Sequence, residues 1–245
     1  MDLTHRDRPD QPNAPLAPVP VPVRLLPHGT LPEYATLHAA GCDLTASADL
    51  ILRPGETRLL PLGFIMALPP DCEAQVRPRS GLSLKTSLRL PNTPGTIDAD
   101  YRNEVGVILE NTFNPASLPG LIAARPDLLS ELLARYRLVR LADLLPANGQ
   151  ADPGKNPGSV FVDAVPAETT DHLVAEYLAQ PVWIDGEGLP YGTIRIRRGE
   201  RIAQMVVTGV RRAAFDLTQD PSDTGHDRGG GFGSTGLTGL DQAKT

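Results

Sequence analysis

Between Val23 and Asn111 the apolar positions fall in short runs with a period near two. Val105, Val107 and Leu109 take every second place in Glu104–Asn111, the mark of a strand buried on one face. Similar β-type runs stand at Val23–Leu26, Thr57–Leu60, Gly63–Leu68 and Glu73–Arg77. Turn formers separate them, as in Arg53-Pro-Gly-Glu56 and Leu68-Pro-Pro-Asp71. Many short strands at this spacing predict a mainly β domain: a sandwich, barrel or jelly roll.

The period changes over 113–190. Pro126 opens Asp127–Tyr136, where Leu128, Leu129, Leu132 and Leu133 share a helical face that Tyr136 continues. Residues 148–158 read as a loop, and Thr170–Ala179 as a second helix stopped by Pro181. Strand pattern resumes at Thr193–Arg197 and Arg201–Val207. The expected organisation is a disordered Pro-rich tail at 1–22, and a discontinuous β domain at 23–112 and 191–220. A helical insertion at 113–190 and a flexible glycine-rich arm at 221–245 complete it.

Composition narrows the class. Of 245 residues 40% are hydrophobic and 4% aromatic, while Pro (25) and Gly (23) abound, which favours strands and turns over long helices. Cys42 and Cys72 have no companion at ligand spacing, so neither a disulfide framework nor a zinc site is expected. No run of 18 apolar residues and no signal-peptide pattern occurs, and the expectation is a soluble cytoplasmic protein without membrane contact. A formal net charge of −6 argues against a nucleic-acid polymer as partner. An anionic small substrate would need local cations and backbone donors instead.

Asn92-Thr-Pro-Gly-Thr-Ile-Asp98-Ala-Asp-Tyr101-Arg-Asn-Glu104 carries the most chemistry. It reads as a β-hairpin whose Asp98 carboxylate and Tyr101 ring face a pocket made partly by backbone, with Asp100 on the other strand face. Main-chain N–H and C=O groups can read a flat heterocycle while the carboxylate handles a water. An ordinary surface hairpin fits these residues equally well. Arg79-Ser80-Gly81 suits an anion: Ser80 can begin a helical turn with free N–H groups, and Arg79 offers a planar fork. A surface arginine beside a capping serine is the plainer alternative.

Five blocks stand in one order: Ala40-Gly-Cys-Asp43-Leu44, Arg77–Leu82, Asn92–Tyr101, Gly199–Gln204 and Arg228–Gly236. This series resembles the trimeric deoxyuridine triphosphate nucleotidohydrolase (dUTPase) family over roughly 23–112 and 192–236. The resemblance implies a dUTPase-like jelly-roll or β-barrel fold and a dUTP diphosphatase that removes dUTP and supplies dUMP for dTMP synthesis. It implies that Asp98 activates the water attacking the α-phosphorus and that Arg79 stabilises the charge which develops. Ser80, Gly81 and Gln204 would hold phosphates. Asn92, with backbone near Thr96, Ile97 and Gly106, would read uracil, and Tyr101 would pack on the deoxyribose. Arg228, Phe232, Gly233, Ser234 and Thr235 would close over the substrate, with Phe232 on the base. Asp43 and Gln204 would meet Mg2+ through water. A homotrimer with shared sites is implied as well. Departures are Cys42, Asn103 and Leu62, none of which removes a group the chemistry needs.

Two other readings compete. A dCTP deaminase of similar fold would carry its glutamate ten residues past the aspartate, where Ile108 stands, with Glu110 two positions on. Alternatively the insert recruits or regulates through an unidentified protein partner; leucine-rich helices can equally be a self-contained packing layer.

Overall fold

The computed structural model describes residues 18–144, 176, 178–218 and 220–223. The chain divides into two compact units, Met1–Val210 and Arg211–Thr245. In the second unit the described residues form a 3-10 turn at Pro221–Asp223 and little else that is regular.

The strands of the first unit are β1 (Val23–Leu25), β2 (Cys42–Thr45), β3 (Leu50–Leu52), β4 (Thr57–Pro61), β5 (Phe64–Met66), β6 (Cys72–Pro78), β7 (Leu88–Arg89), β8 (Gly95–Ile97), β9 (Gly106–Asn111), β10 (Arg137–Arg140), β11 (Pro181–Ile184), β12 (Ile194–Ile196) and β13 (Arg201–Gly209). Helices are α1 (Ser80–Lys85), α2 (Leu118–Ala124) and α3 (Asp127–Arg135). One sheet runs β2-β13-β6-β8 and a second β4-β9-β7; β1-β5, β3-β12 and β10-β11 form ribbons. Every pairing is antiparallel.

Alternation explains which faces meet. Cys72, Ala74 and Val76 on β6, and Val107, Leu109 and Asn111 on β9, are buried, while their neighbours are half-buried or exposed. These inner faces join Leu44, Leu52, Leu60, Phe64 and Ile202 in one core. Each buried leucine contributes roughly 1.5–3 kcal/mol of transfer free energy. The ladder on β13 ends at Gly209, next to where the first unit ends. At the other end, contact with the core begins inside the expected tail. Val21 packs against the core and the Pro22 carbonyl accepts from the Ala67 N–H at 3.0 Å.

The expected hairpin of residues 92–111 is not one. β8 pairs with β6 in the first sheet, while β9 lies between β4 and β7 in the second. Their connection therefore crosses from sheet to sheet. The period of each strand was visible in the sequence, but the partner was not, since a nearer segment had no better claim to the ladder than a distant one.

The insert is not helical throughout. α2 and α3 pack with β10 and β11 around Leu118, Leu128 and Leu132, joined by Ile122, Tyr136, Trp183 and Tyr191. Leu129 and Leu133 are exposed, so only the i, i+4 pair of the predicted leucine stripe reaches this small core. Most of the predicted helix at 170–179 lies outside the described residues.

Buried Asn111 ties the insert to the β domain. Its Oδ1 accepts from Ser87 Oγ (2.7 Å) and the Phe113 N–H (3.1 Å), and its Nδ2 donates to the Leu52 carbonyl (3.0 Å) and the Gly192 carbonyl (2.8 Å). Gly192 has φ +88, and a Cβ there would sit 2.2 Å from the Phe113 ring. Glycine is required on both counts.

Candidate active site

Two groups of predicted site residues stand out. The first follows from register: Gln204 on β13 lies opposite Asp43 on β2 and Arg77 on β6. Asp43 Oδ1 meets Arg79 Nε at 3.1 Å and its Oδ2 meets Arg201 Nη1 at 3.0 Å. Arg79 Nη1 also donates to the Arg201 carbonyl at 3.2 Å. One carboxylate thus aligns two guanidiniums, leaving a net positive patch beside α1. Gln204 Nε2 donates to the Pro78 carbonyl at 2.8 Å, which fixes its amide. A cleft of about 260 Å3 bordered by Glu33, Tyr34, Asp43 and Arg201 opens next to them.

Ser80 and Gly81 start α1, and the first helical bond runs from the Ser83 N–H to the Arg79 carbonyl. The N–H groups of the first turn are therefore free for an anion. Arg79 rather than Ser80 holds the capping position, and no side chain caps the helix. Ser80 and Gly81 are exposed, and a Cβ at Gly81 would meet nothing within 4 Å.

The second group lies around the end of β8. Asp98 and Asp100 are beyond the strand, in a turn closed by the Tyr101 N–H to the Asp98 carbonyl at 3.1 Å. The strand-face argument that separated them does not hold there. Asp98 is exposed, and its carboxylate has no hydrogen-bond or ion-pair partner among the described residues. Asn92 lies against β8: a Cβ on Gly95 would stand 3.1 Å from Asn92 Nδ2. Thr96 is exposed and Ile97 half-buried, opposite Gln75 and Ala74 on β6. Tyr101, 37% exposed, donates its hydroxyl to the Glu104 carbonyl at 2.9 Å. Gly106 starts β9 opposite Pro61, where a Cβ would come within 2.8 Å of Leu59 Cδ1.

Within the chain no side-chain hydrogen bond or ion pair among the described residues joins the two groups. Arg228, Phe232, Gly233, Ser234 and Thr235 lie outside the described residues.

Three residues escaped the sequence reading. Arg201 completes the Asp43 cluster, Arg102 Nη1 donates to the Ala99 (2.6 Å) and Tyr101 (2.8 Å) carbonyls, and Glu104 Oε1 accepts the Gly63 N–H at 2.9 Å. Arg201 lies within the Gly199–Gln204 block, and Arg102 and Glu104 lie within the Asn92–Glu104 run, so each had a signal by its place in a block.

Among the described residues no three carboxylate, histidine or cysteine side chains converge as a metal cage. Asp43 and the Gln204 amide oxygen are hard oxygen donors, the chemistry that fits the water shell of Mg2+ carried by phosphates.

Comparison with known proteins bears on the family and the fold. The dUTPase family model matches residues 28–116. Deoxyuridine 5'-triphosphate nucleotidohydrolase of Methylocella silvestris is 50% identical over 101 residues, covering 38% of this chain. The chain spans 63% of that relative's length. The dUTPase of Staphylococcus bacteriophage 80alpha, solved with dUpNHpp, superposes with a TM-score of 0.57 at 19% identity, covering 89% of this chain and 99% of that one. The dUTPase of S. aureus phage phi11, solved with a structural Mg(II) ion, gives 0.50 at 20% identity, covering 82% and 97%. At such identities the two phage structures support the fold alone.

Proposed function

We propose that this chain, which carries a dUTPase domain over residues 28–116, is a dUTP diphosphatase: dUTP + H2O → dUMP + diphosphate. The observation that carries the reading is an exposed Asp98, its carboxylate without a partner among the described residues, at the end of a strand where Gly95 lets the Asn92 amide lie against the backbone, in the segment that the dUTPase family model matches.

Asp98 accepts a proton from water as the oxygen attacks the α-phosphorus in line, and diphosphate leaves. A positioned base of this kind contributes on the order of 10²–10⁴-fold. The Asn92 amide and the main chain of Thr96, Ile97 and Gly106 check the uracil edge, since a site built to bond one edge rejects a mispaired base strongly. Tyr101 packs on the deoxyribose. Arg79, oriented by Asp43, and the free N–H groups of Ser80 and Gly81 receive the phosphates, and Gln204 helps to hold them. Asp43 and Gln204 would hold the water shell of Mg2+, which would offset the charge of the phosphates.

The assembly is a homotrimer, in which the Asp43–Arg79–Gln204 group of one subunit serves the Asp98 turn of another. The enzyme works in the cytoplasm. The deaminase alternative is disfavoured by apolar Ile108 where its glutamate would stand, opposite Leu59.

Diphosphate release from dUTP, dCTP, dTTP and UTP, measured in parallel on purified protein, tests the proposal. Turnover confined to dUTP is expected. Ammonia release from dCTP, or equal turnover of all four, would overturn it.

A further inference from the structure

Glu104 is bonded at both ends. Its main-chain carbonyl accepts the Tyr101 hydroxyl at 2.9 Å, and its Oε1 accepts the Gly63 N–H at 2.9 Å. On either side of that second bond the backbones are paired. The Leu62 N–H donates to the Val105 carbonyl and the Val105 N–H to the Phe64 carbonyl, both at 2.9 Å. Gly63 between them has φ +73, so its N–H leaves the ladder and finds the Glu104 carboxylate instead.

Gly63 is a rigid anchor. It is buried between Leu62 and Phe64, each 1% exposed, and its carbonyl accepts from the Leu26 N–H at 2.8 Å. Its backbone lies so close to Gly29 that a Cβ on Gly63 would sit 2.4 Å from Gly29 Cα. The Asp98–Arg102 turn, in contrast, is tied mainly to itself through the Tyr101 N–H and the Arg102 guanidinium. It meets the sheets through β8 before it, Glu104 after it and the partly buried Ala99, which packs against the core.

We infer that Glu104 is a positioning residue for sugar selection: it latches the Tyr101 turn to Gly63 and so sets how closely the ring approaches the substrate's C2' position. This rests on the dUTPase reading, because Tyr101 discriminates a sugar only if a nucleotide lies against it. The carboxylate supplies a charge-assisted acceptor to a buried N–H, a bond about twice as strong as a neutral one. Without it Gly63 keeps an unpaired donor, and the 101–105 segment loses its side-chain tie to that buried backbone, leaving the Val105 ladder bonds to hold it alone. A 2'-hydroxyl would then be accommodated.

The test compares wild type, Glu104→Ala and Glu104→Gln in the full chain. Glutamine retains an oxygen that can accept the Gly63 N–H. The ratio of kcat/KM for dUTP over UTP is expected to fall about tenfold in E104A, mainly through a lower KM for UTP, and to return within about twofold in E104Q. Amide hydrogen exchange at Gly63 and over 98–105 should quicken in E104A alone. An unchanged dUTP:UTP ratio in E104A, even with a lowered Tm, would reduce Glu104 to a structural residue and overturn the inference. If wild type hydrolyses no dUTP, the sugar-selection role falls with the functional reading. The exchange data then still decide the latch, which is refuted by identical rates in wild type and E104A.

Discussion

Asn111 Nδ2 donates to the Gly192 carbonyl at 2.8 Å across 81 positions of sequence. That bond joins the end of β9, where the chain leaves the β domain, to the point where it returns from the insert. The same amide group holds Leu52, Ser87 and Phe113, so one buried side chain registers the β3-β12 ribbon, the β4-β9-β7 sheet and the insert's two ends.

Asn111→Leu is therefore expected to destabilise the protein by about 3 kcal/mol, because several buried groups lose partners together at roughly 1–3 kcal/mol each. Urea denaturation measures it. A loss below about 0.5 kcal/mol would show that the network adds nothing to stability.

Asp98→Asn is expected to lower kcat for dUTP by on the order of 10²–10⁴-fold with little change in KM. Folding and assembly should be untouched, since the exposed carboxylate has no partner among the described residues. Steady-state kinetics and sedimentation decide it together; retained turnover would remove Asp98 from the role of base.

Asp43→Asn keeps the size of the side chain but weakens its hold on Arg79 and Arg201. The expected result is a KM for dUTP raised about tenfold. Excess Mg2+ should not restore it. Full recovery at high Mg2+ would mean that the residue serves the ion's waters and not the two arginines.

Asp185 makes an acid-sensitive tie in the insert. Burial pushes its carboxyl upward. The Arg195 guanidinium, at 2.5 Å, and the Leu189 and Glu187 N–H groups outweigh that, and hold it below its ordinary value of 3.8. A carboxyl lowered on folding stabilises the native state fully above its unfolded value and loses that contribution as pH falls through the folded one. Wild type should thus lose stability below about pH 4 more steeply than Asp185→Asn, a comparison read from Tm between pH 2.5 and 6.

Much of the site was legible because its parts are local. Alternation marked β6 and β9, and an Arg-Ser-Gly run that opens a short helix did open α1. Glycines at 95 and 106 stand where side chains would crowd Asn92 and Leu59. Asp98 lay in a turn rather than on a strand face, and Leu129 and Leu133 turned outward, because a face is defined only once a neighbour covers it.

By itself the sequence determined the β-rich class, the order of its blocks and the kinds of groups each presents, since period and side-chain chemistry are properties of adjacent residues. Only the tertiary structure decided that β8 and β9 join different sheets, that Asp43 aligns Arg79 with Arg201, and that Glu104 reaches Gly63. These are pairings between distant segments, selected by closing one core with its buried polar groups satisfied, and no local pattern encodes that choice.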